Sequence, residues 1–214
     1  ANETRNVTLG PDNATNETFT VQTGAGDAGT YTATVTSDDD QAEANLTVLE
    51  PPHFEVTILE TEGTVAGGQA NVTAEIANVG DVEGTQSIAF DLGGLASETR
   101  NVTLGPTNST NETFTVQTGT GDAGTYTATV TSDDDQAEAN LTVLAPAFFD
   151  VTVQDVTGSV EGSPFSVTVG IENTGDVTDS QQIGVETALG TNGTTVSLDA
   201  GDSTTRPLTV PTSA

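Results

Sequence analysis

Eleven of the thirteen asparagines in this 214-residue sequence stand in the pattern Asn-x-Ser/Thr, the acceptor sequence for N-linked sugar. They are Asn2, Asn6, Asn13, Asn16, Asn45, Asn71, Asn101, Asn108, Asn111, Asn140 and Asn192. Serine and threonine make up about a quarter of the chain, so composition alone would supply roughly three such matches. The other two, Asn78 and Asn173, sit in Asn-x-Gly-Asp, where a turn role is expected because Asn tolerates the left-handed region and bonds its own backbone. The excess points to N-glycosylation at some of the eleven sites, and full occupancy is not expected.

Carboxylates are the second chemical resource. Asp133, Asp134 and Asp135 are consecutive, and Asp38, Asp39 and Asp40 repeat them. Calcium takes six to eight oxygens, so clustered carboxylates in a loop can serve as donors for calcium or magnesium. Against a site, neighbouring residues in extended chain point to opposite sides, and no EF-hand spacing is present; a solvated acidic tip is the preferred reading. Asp81 and Asp176, in the two "GD" turns, could contribute oxygens at a junction. No cofactor is otherwise implied.

Catalysis has little to draw on. His53 is the one histidine, its counterpart one repeat later is Ala147, and cysteine is absent. A Ser/His/Asp relay and a thiol nucleophile are therefore both missing. Nothing singles out a glycosidase-like carboxylate pair among 32 acids. The pieces "VAGGQ" and "LGGLA" lack a following helix and read as turns rather than phosphate loops. No catalytic residues are assigned, and no enzyme is expected.

These residues are carried on a repeat. Residues 1–49 align with 96–144 without gaps and differ only at Asn2/Ser97, Asp12/Thr107, Ala14/Ser109 and Ala25/Thr120. "FEVTILETEGTV" at 54–65 is echoed by "FDVTVQDVTGSV" at 149–160, again 95 positions later. The expected organisation is the C-terminal part of one unit (1–49), a complete unit (53–144) and the N-terminal part of a third (148–214). Short proline-bearing joints at 50–52 and 145–147 should be semi-rigid. This reads as a segment of a longer array.

Within 53–144, about seven stretches alternate apolar and polar residues between Gly, Pro, Asn and Asp punctuation. Phe54, Val56 and Ile58 share a face, as do Val72, Ala74 and Ile76, and Ile88, Phe90 and Leu92. Val102 with Leu104, Phe114 with Val116, Tyr126 with Ala128 and Val130, and Ala137 with Ala139, Leu141 and Val143 complete the pattern. No helical period occurs. The fold class is all-β: tandem immunoglobulin-like β-sandwiches of about seven strands, strung like beads. Tyr126 and Tyr31 are expected in the core, Tyr126 in the role of a tyrosine corner. This register turns Asn71, Asn101 and Asn140 outward.

The net charge is −29, from 32 acids against three arginines and no lysine. Such a surface repels itself except where salt shortens the Debye length to about 3 Å near 1 M. The balance suits a halophilic archaeon, and it speaks against a nucleic-acid partner, which needs a basic face. No apolar run approaches the roughly 18 residues of a membrane span.

The run "FEVTILETEGTVAGGQANVTAEIANVGDVEGTQSIAFDL", with its V/I-x-N-x-G-D turn and the later "GTYTATV", resembles the CARDB family, the cell-adhesion-related immunoglobulin-like domains. The resemblance covers 53–144 and parts of both flanks. It implies a place in a surface-layer glycoprotein, surface filament, adhesin or spacer of a secreted enzyme. Together with the glycan acceptors, it leads to an expected extracellular structural glycoprotein whose partners are copies of itself in a lattice or filament, or other surface glycoproteins. An adhesin or ligand-binding array, and spacers of a secreted enzyme, are the alternatives. A protein-binding hot spot would want Trp, Tyr or Arg on the surface, and this chain has no Trp.

Overall fold

The computed structural model describes residues 2–211; Ala1 and residues 212–214, at the edges of the two expected partial units, lie outside the described residues. The described chain is all-β, with fifteen strands and no helix. It opens on residues 2–28, which form no strand, followed by an antiparallel hairpin of β1 (Gly29–Thr36) and β2 (Gln41–Val48).

The next eight strands build one sandwich. They are β3 (Phe54–Glu62), β4 (Thr64–Val65), β5 (Gln69–Asn78), β6 (Gly84–Leu92), β7 (Ser97–Leu104), β8 (Ser109–Gln117), β9 (Gly124–Thr131) and β10 (Gln136–Leu144). One sheet has the order β3-β5-β8 and the other β4-β10-β9-β6-β7. Alternating side chains fill the space between them because a strand turns successive residues to opposite faces. Phe54, Val72, Ala74, Ile76, Ile88, Leu92, Phe114, Ala128 and Val130 are all fully enclosed. Phe90 and Phe114 stack across the gap, with ring centroids 4.6 Å apart. Ala128 takes its place without any disulfide, and burial alone closes this core. The Tyr126 hydroxyl donates to the Asp122 carbonyl at 2.9 Å, the corner bond expected of it.

The sequence pattern predicted about seven strands, and the unit has eight. The extra strand, β4, runs parallel to the end of β10, pairing Thr64 with Val143 and Val65 with Leu144. At two residues it is too short to show a period of its own, and it exists only as an addition to its neighbour.

The last unit contains β11 (Phe149–Thr157), β12 (Phe165–Asn173), β13 (Asp179–Thr187), β14 (Gly190–Leu198) and β15 (Ser203–Val210). Its sheets are β11-β12-β15 and β13-β14, enclosing Phe149, Val167, Val169, Ile171, Val196 and Leu208. The pairing of β11 with β12 slips between Val153 and Asp155, and that of β3 with β5 slips between Ile58 and Glu60. The irregularity recurs at the repeat spacing.

Tyr31 departs from its expected core position. Its hydroxyl still donates to the Asp27 carbonyl at 3.0 Å, but 46% of the residue is exposed, and among the described residues no second sheet covers β1.

Candidate functional site: the joints between repeats

Each joint is held by an Asn-x-Gly-Asp turn. Asn78 ends β5 and is 1% exposed. Its Oδ1 accepts from the His53 N–H at 3.2 Å and the Gly80 N–H at 3.1 Å. Its Nδ2 donates to the carbonyls of Val82, Leu104 and Gly105 at 2.9, 3.1 and 3.2 Å. A buried amide is affordable only when satisfied in this way. Asn173 repeats the pattern, accepting from Phe148 and Gly175 and donating to Val177, Leu198 and Asp199. Of the expected turn role, the bond to the local backbone is present, from Gly80 and Gly175 two positions on, but the left-handed conformation is corrected: neither residue has a positive φ. Each is also a buried cross-link, tying the start of its unit to the loop after its own strand and to the end of a strand in the opposite sheet.

Three positions on, Asp81 and Asp176 reach back to the joints. The Glu50 N–H donates to Asp81 Oδ2 at 3.1 Å, and the Asp81 N–H donates to the Glu50 carbonyl at 3.1 Å. The Ala145 N–H donates to Asp176 Oδ2 at 2.8 Å, and the Asp176 N–H returns a bond to the Ala145 carbonyl at 3.0 Å. Between each Asn and Asp stands a buried glycine, Gly80 or Gly175. A side chain on Gly80 would collide with the Pro51 carbonyl, and one on Gly175 with that of Pro146. The glycines are required by close approach of the joint rather than by dihedral freedom.

At the second joint this leaves no slack. The Leu144 carbonyl, closing β10, accepts from the Ala66 N–H of its own unit at 2.9 Å. The next residue, Ala145, is already clamped by Asp176 of the following unit. Paired backbone bonds thus stand beside the prolines at each joint.

The acidic triplet has a related role. Asp134 Oδ2 accepts from the Phe54 N–H at 2.8 Å and from the Gln86 side-chain amide, while Asp135 Oδ2 accepts from the Val56 N–H at 2.9 Å. Ser132 Oγ donates to the Phe54 carbonyl at 2.8 Å. The hairpin tip therefore caps the outer edge of β3, which would otherwise present unpaired backbone groups. The Gln86 amide and the Phe54 N–H hold the Asp134 carboxyl below the usual carboxylate range, and the Val56 N–H does so for Asp135. Two of the three carboxylates are thus engaged with backbone instead of merely solvated, and Asp133 stays exposed. Asp38, Asp39 and Asp40 form the same turn on Ser37, with all three residues exposed. Among the described residues no group of three or more His, Asp or Glu is placed to hold a metal ion. His53 Nδ1 lies 3.9 Å from Asp134 Oδ2.

Nine of the eleven acceptor asparagines are exposed. Asn101, Asn108, Asn111 and Asn140 are exposed, as are Asn2, Asn6, Asn13, Asn16 and Asn45. Asn71 is half-buried on the outer face, donating to Glu62 at 2.9 Å and accepting from Thr115 at 2.9 Å. Asn192 departs from the outward placement a glycan acceptor needs: half-buried, it shares the inner phase of β14 with Val196 and Leu198, and its amide donates across to the Thr209 carbonyl of β15 at 2.6 Å.

No family model matches the sequence, and no curated protein matches it. Similar solved structures include red sea bream transglutaminase, at 14% identity over 75% of this chain and 27% of that one, with a TM-score of 0.35. Escherichia coli alpha-2-macroglobulin activated by porcine elastase shares 14% identity over 86% of this chain and 21% of its own, at 0.32. The N-terminal eight Ig domains of Down Syndrome Cell Adhesion Molecule isoform 1.30.30 share 18% over 86% and 26%, at 0.28. The chain spans about a quarter of the length of each. Likenesses this distant carry no activity, ligand or partner over to it.

No helix among the described residues is long and apolar enough to cross a membrane.

Proposed function

We propose that the chain is a non-catalytic, stiff segment of a tandem immunoglobulin-like array displayed outside the cell. It acts as a structural glycoprotein of a halophilic archaeon, in a surface layer or a surface filament. The observation that carries this reading is the joint at Leu144–Ala145, where adjacent residues are bonded to different units. A flexible tether needs free residues between its beads, and this joint has none. The outward acceptor asparagines and the net charge of −29 support a glycosylated surface working in concentrated salt.

The cysteine-free chain gives a clean test. Spin labels on Thr129→Cys and Thr205→Cys, both solvent-accessible strand positions flanking the second joint, should report one narrow distance distribution in molar salt. Asp176→Ala should broaden it while leaving the circular dichroism spectrum in place. A broad distribution in the unaltered chain would refute the stiff-joint reading.

A further inference from the structure

The outer face of the β11-β12-β15 sheet carries a groove opened by two exchanges between the repeats. Glu75 of β5 gives way to Gly170 of β12, and Leu59 of β3 to Gln154 of β11, each 95 positions later. The exchanges meet at the recurring slip in strand pairing, where Leu59 and Gln154 are the unpaired bulge residues. A bulge re-aims the side chain it carries. Here it brings Gln154 over the bare backbone of Gly170, where any side chain would collide with the Gln154 amide and the Thr152 hydroxyl. In the intact unit Glu75 occupies this place and accepts from the Ser109 hydroxyl at 2.9 Å. The face is open to solvent in both units, with Glu55, Thr57 and Asn111 exposed in one and Asp150, Thr152 and Thr205 in the other. The groove therefore comes from the exchanged residues and not from the lack of a covering element.

Asp150, Thr152, Gln154, Glu172, Ser203 and Thr205 line it around Gly170, in a volume of about 440 Å³, within the range of small-ligand sites. Each of these six side chains is a carboxylate, a hydroxyl or an amide, and Ile171 contributes only backbone because its side chain lies in the core. An apolar ligand finds no matching surface there. Nor can a peptide add as a strand on Gly170, since β12 is already bonded by β11 on one side and β15 on the other. Asp150 and Glu172 stand directly opposite each other in the β11–β12 register and repel anions. A neutral polyol fits: its hydroxyls donate to the carboxylates and accept from the Gln154 amide and the hydroxyls, and its C–H face rests on the Gly170 backbone. The bonds now inside the groove are long, Thr205 Oγ1 to Gln154 Oε1 and Thr152 Oγ1 to the Gly170 carbonyl both at 3.4 Å, so a ligand displaces little.

We infer that the last unit binds a neutral saccharide in this groove. The distribution of sugar acceptors agrees. Asn71 and Asn111 stand on this face of the intact unit, whereas Ser166 and Thr205 take their places in the last one, so the groove is kept clear of attached sugar. The inference goes beyond the stiff-array reading and does not rest on it.

The test follows backbone amide shifts of the full-length, unglycosylated chain in molar salt as methyl glucoside, methyl galactoside or maltose is added. Saturable shifts centred on Thr152, Gly170 and Thr205 are expected for at least one of these sugars. The Kd should be on the order of 1 mM, because the groove holds no aromatic ring. Glucuronate, similar in shape but charged, should bind about 10-fold or more weakly beside Asp150 and Glu172. Gly170→Glu with Gln154→Leu restores the pair found in the intact unit, so the variant should fold, and it should abolish the shifts. Shifts that are absent for every neutral sugar, centred elsewhere, or kept in the double variant overturn the inference, and so does equal binding of glucuronate. A further arm separates the sources of the sugar. If free sugar dissolves an association of glycosylated chains, the ligand is carried by neighbouring copies; if the shifts occur without such an association, it is a foreign saccharide.

Discussion

Replacing Asn78 by Asp keeps the shape of a buried cross-link and reverses the sense of half its bonds. The amide nitrogen that donates to Val82, Leu104 and Gly105 becomes an oxygen facing three carbonyl oxygens. Each lost bond removes about 1 kcal/mol, and enclosing a charge at a site 1% exposed adds to this, so the expected loss is about 3–5 kcal/mol at pH 7. That is a large part of the roughly 5–15 kcal/mol that holds a typical domain. The new carboxyl escapes partly by staying protonated, so its pKa is raised in the folded state. A group with a raised folded pKa contributes fully below its unfolded value, near about 4, and loses that contribution as pH rises through the folded value. The deficit should therefore deepen between pH 4.5 and 7.5 by about 1 kcal/mol or more. Urea titration of the whole chain, followed by circular dichroism at fixed molar salt, reads both quantities. Asn173→Asp should act in the same way on the last unit. A deficit below about 1 kcal/mol that is flat with pH would refute the argument that Asn78 works as a satisfied buried donor.

The carboxylates of Asp134 and Asp135 are held low by the bonds they accept, so their contribution is present above about pH 4 and is lost as pH falls through their lowered values. The pair Asp134→Asn and Asp135→Asn should flatten the acid limb of a melting-temperature profile, and an unchanged limb would show that the caps add nothing. Peptide mass spectrometry of native material should find sugar on Asn101, Asn108, Asn111 and Asn140 in preference to Asn71 and Asn192, whose amides are engaged; the reverse ranking would count against accessibility as the control. Lowering salt from 1 M to 0.01 M lengthens screening from about 3 to about 30 Å, so a chain of charge −29 should unfold at a lower temperature. A melting point indifferent to salt would contradict the charge argument.

Much of the fold was legible because a strand's period of two writes its buried face directly into the sequence. Phe54, Val56, Ile88, Phe90 and Val130 are apolar at alternate positions and lie in the core as that spacing requires. Outward phases at Asn101 and Asn140 follow from the same period. The joint clamp was not legible. Asn78 and Asp81 look like ordinary turn residues, and their significance depends on His53, Leu104 and Glu50, between 25 and 31 positions away. The one available sign was that the motif recurs at the repeat spacing. Asp134 and Asp135 were hidden for the same reason, because their partners Phe54 and Val56 lie on a strand about 80 residues earlier.

Two nearly identical segments separate what each level decides. "NVTLG" and "NETFTVQTG" occur at 6–10 and 16–24 and again at 101–105 and 111–119. By themselves they determine composition, alternation and which side chains would face inward. The later copies lie in β7 and β8, whereas the earlier ones form no strand, and Phe19 is 41% exposed where Phe114 is fully enclosed. The difference is the partner: β6 and β5 stand beside the later copies and satisfy their backbone groups. A short strand gains too little from its own bonds to offset the entropy of ordering it, so alternation proposes the element and a neighbouring strand with a covered face is what makes it form.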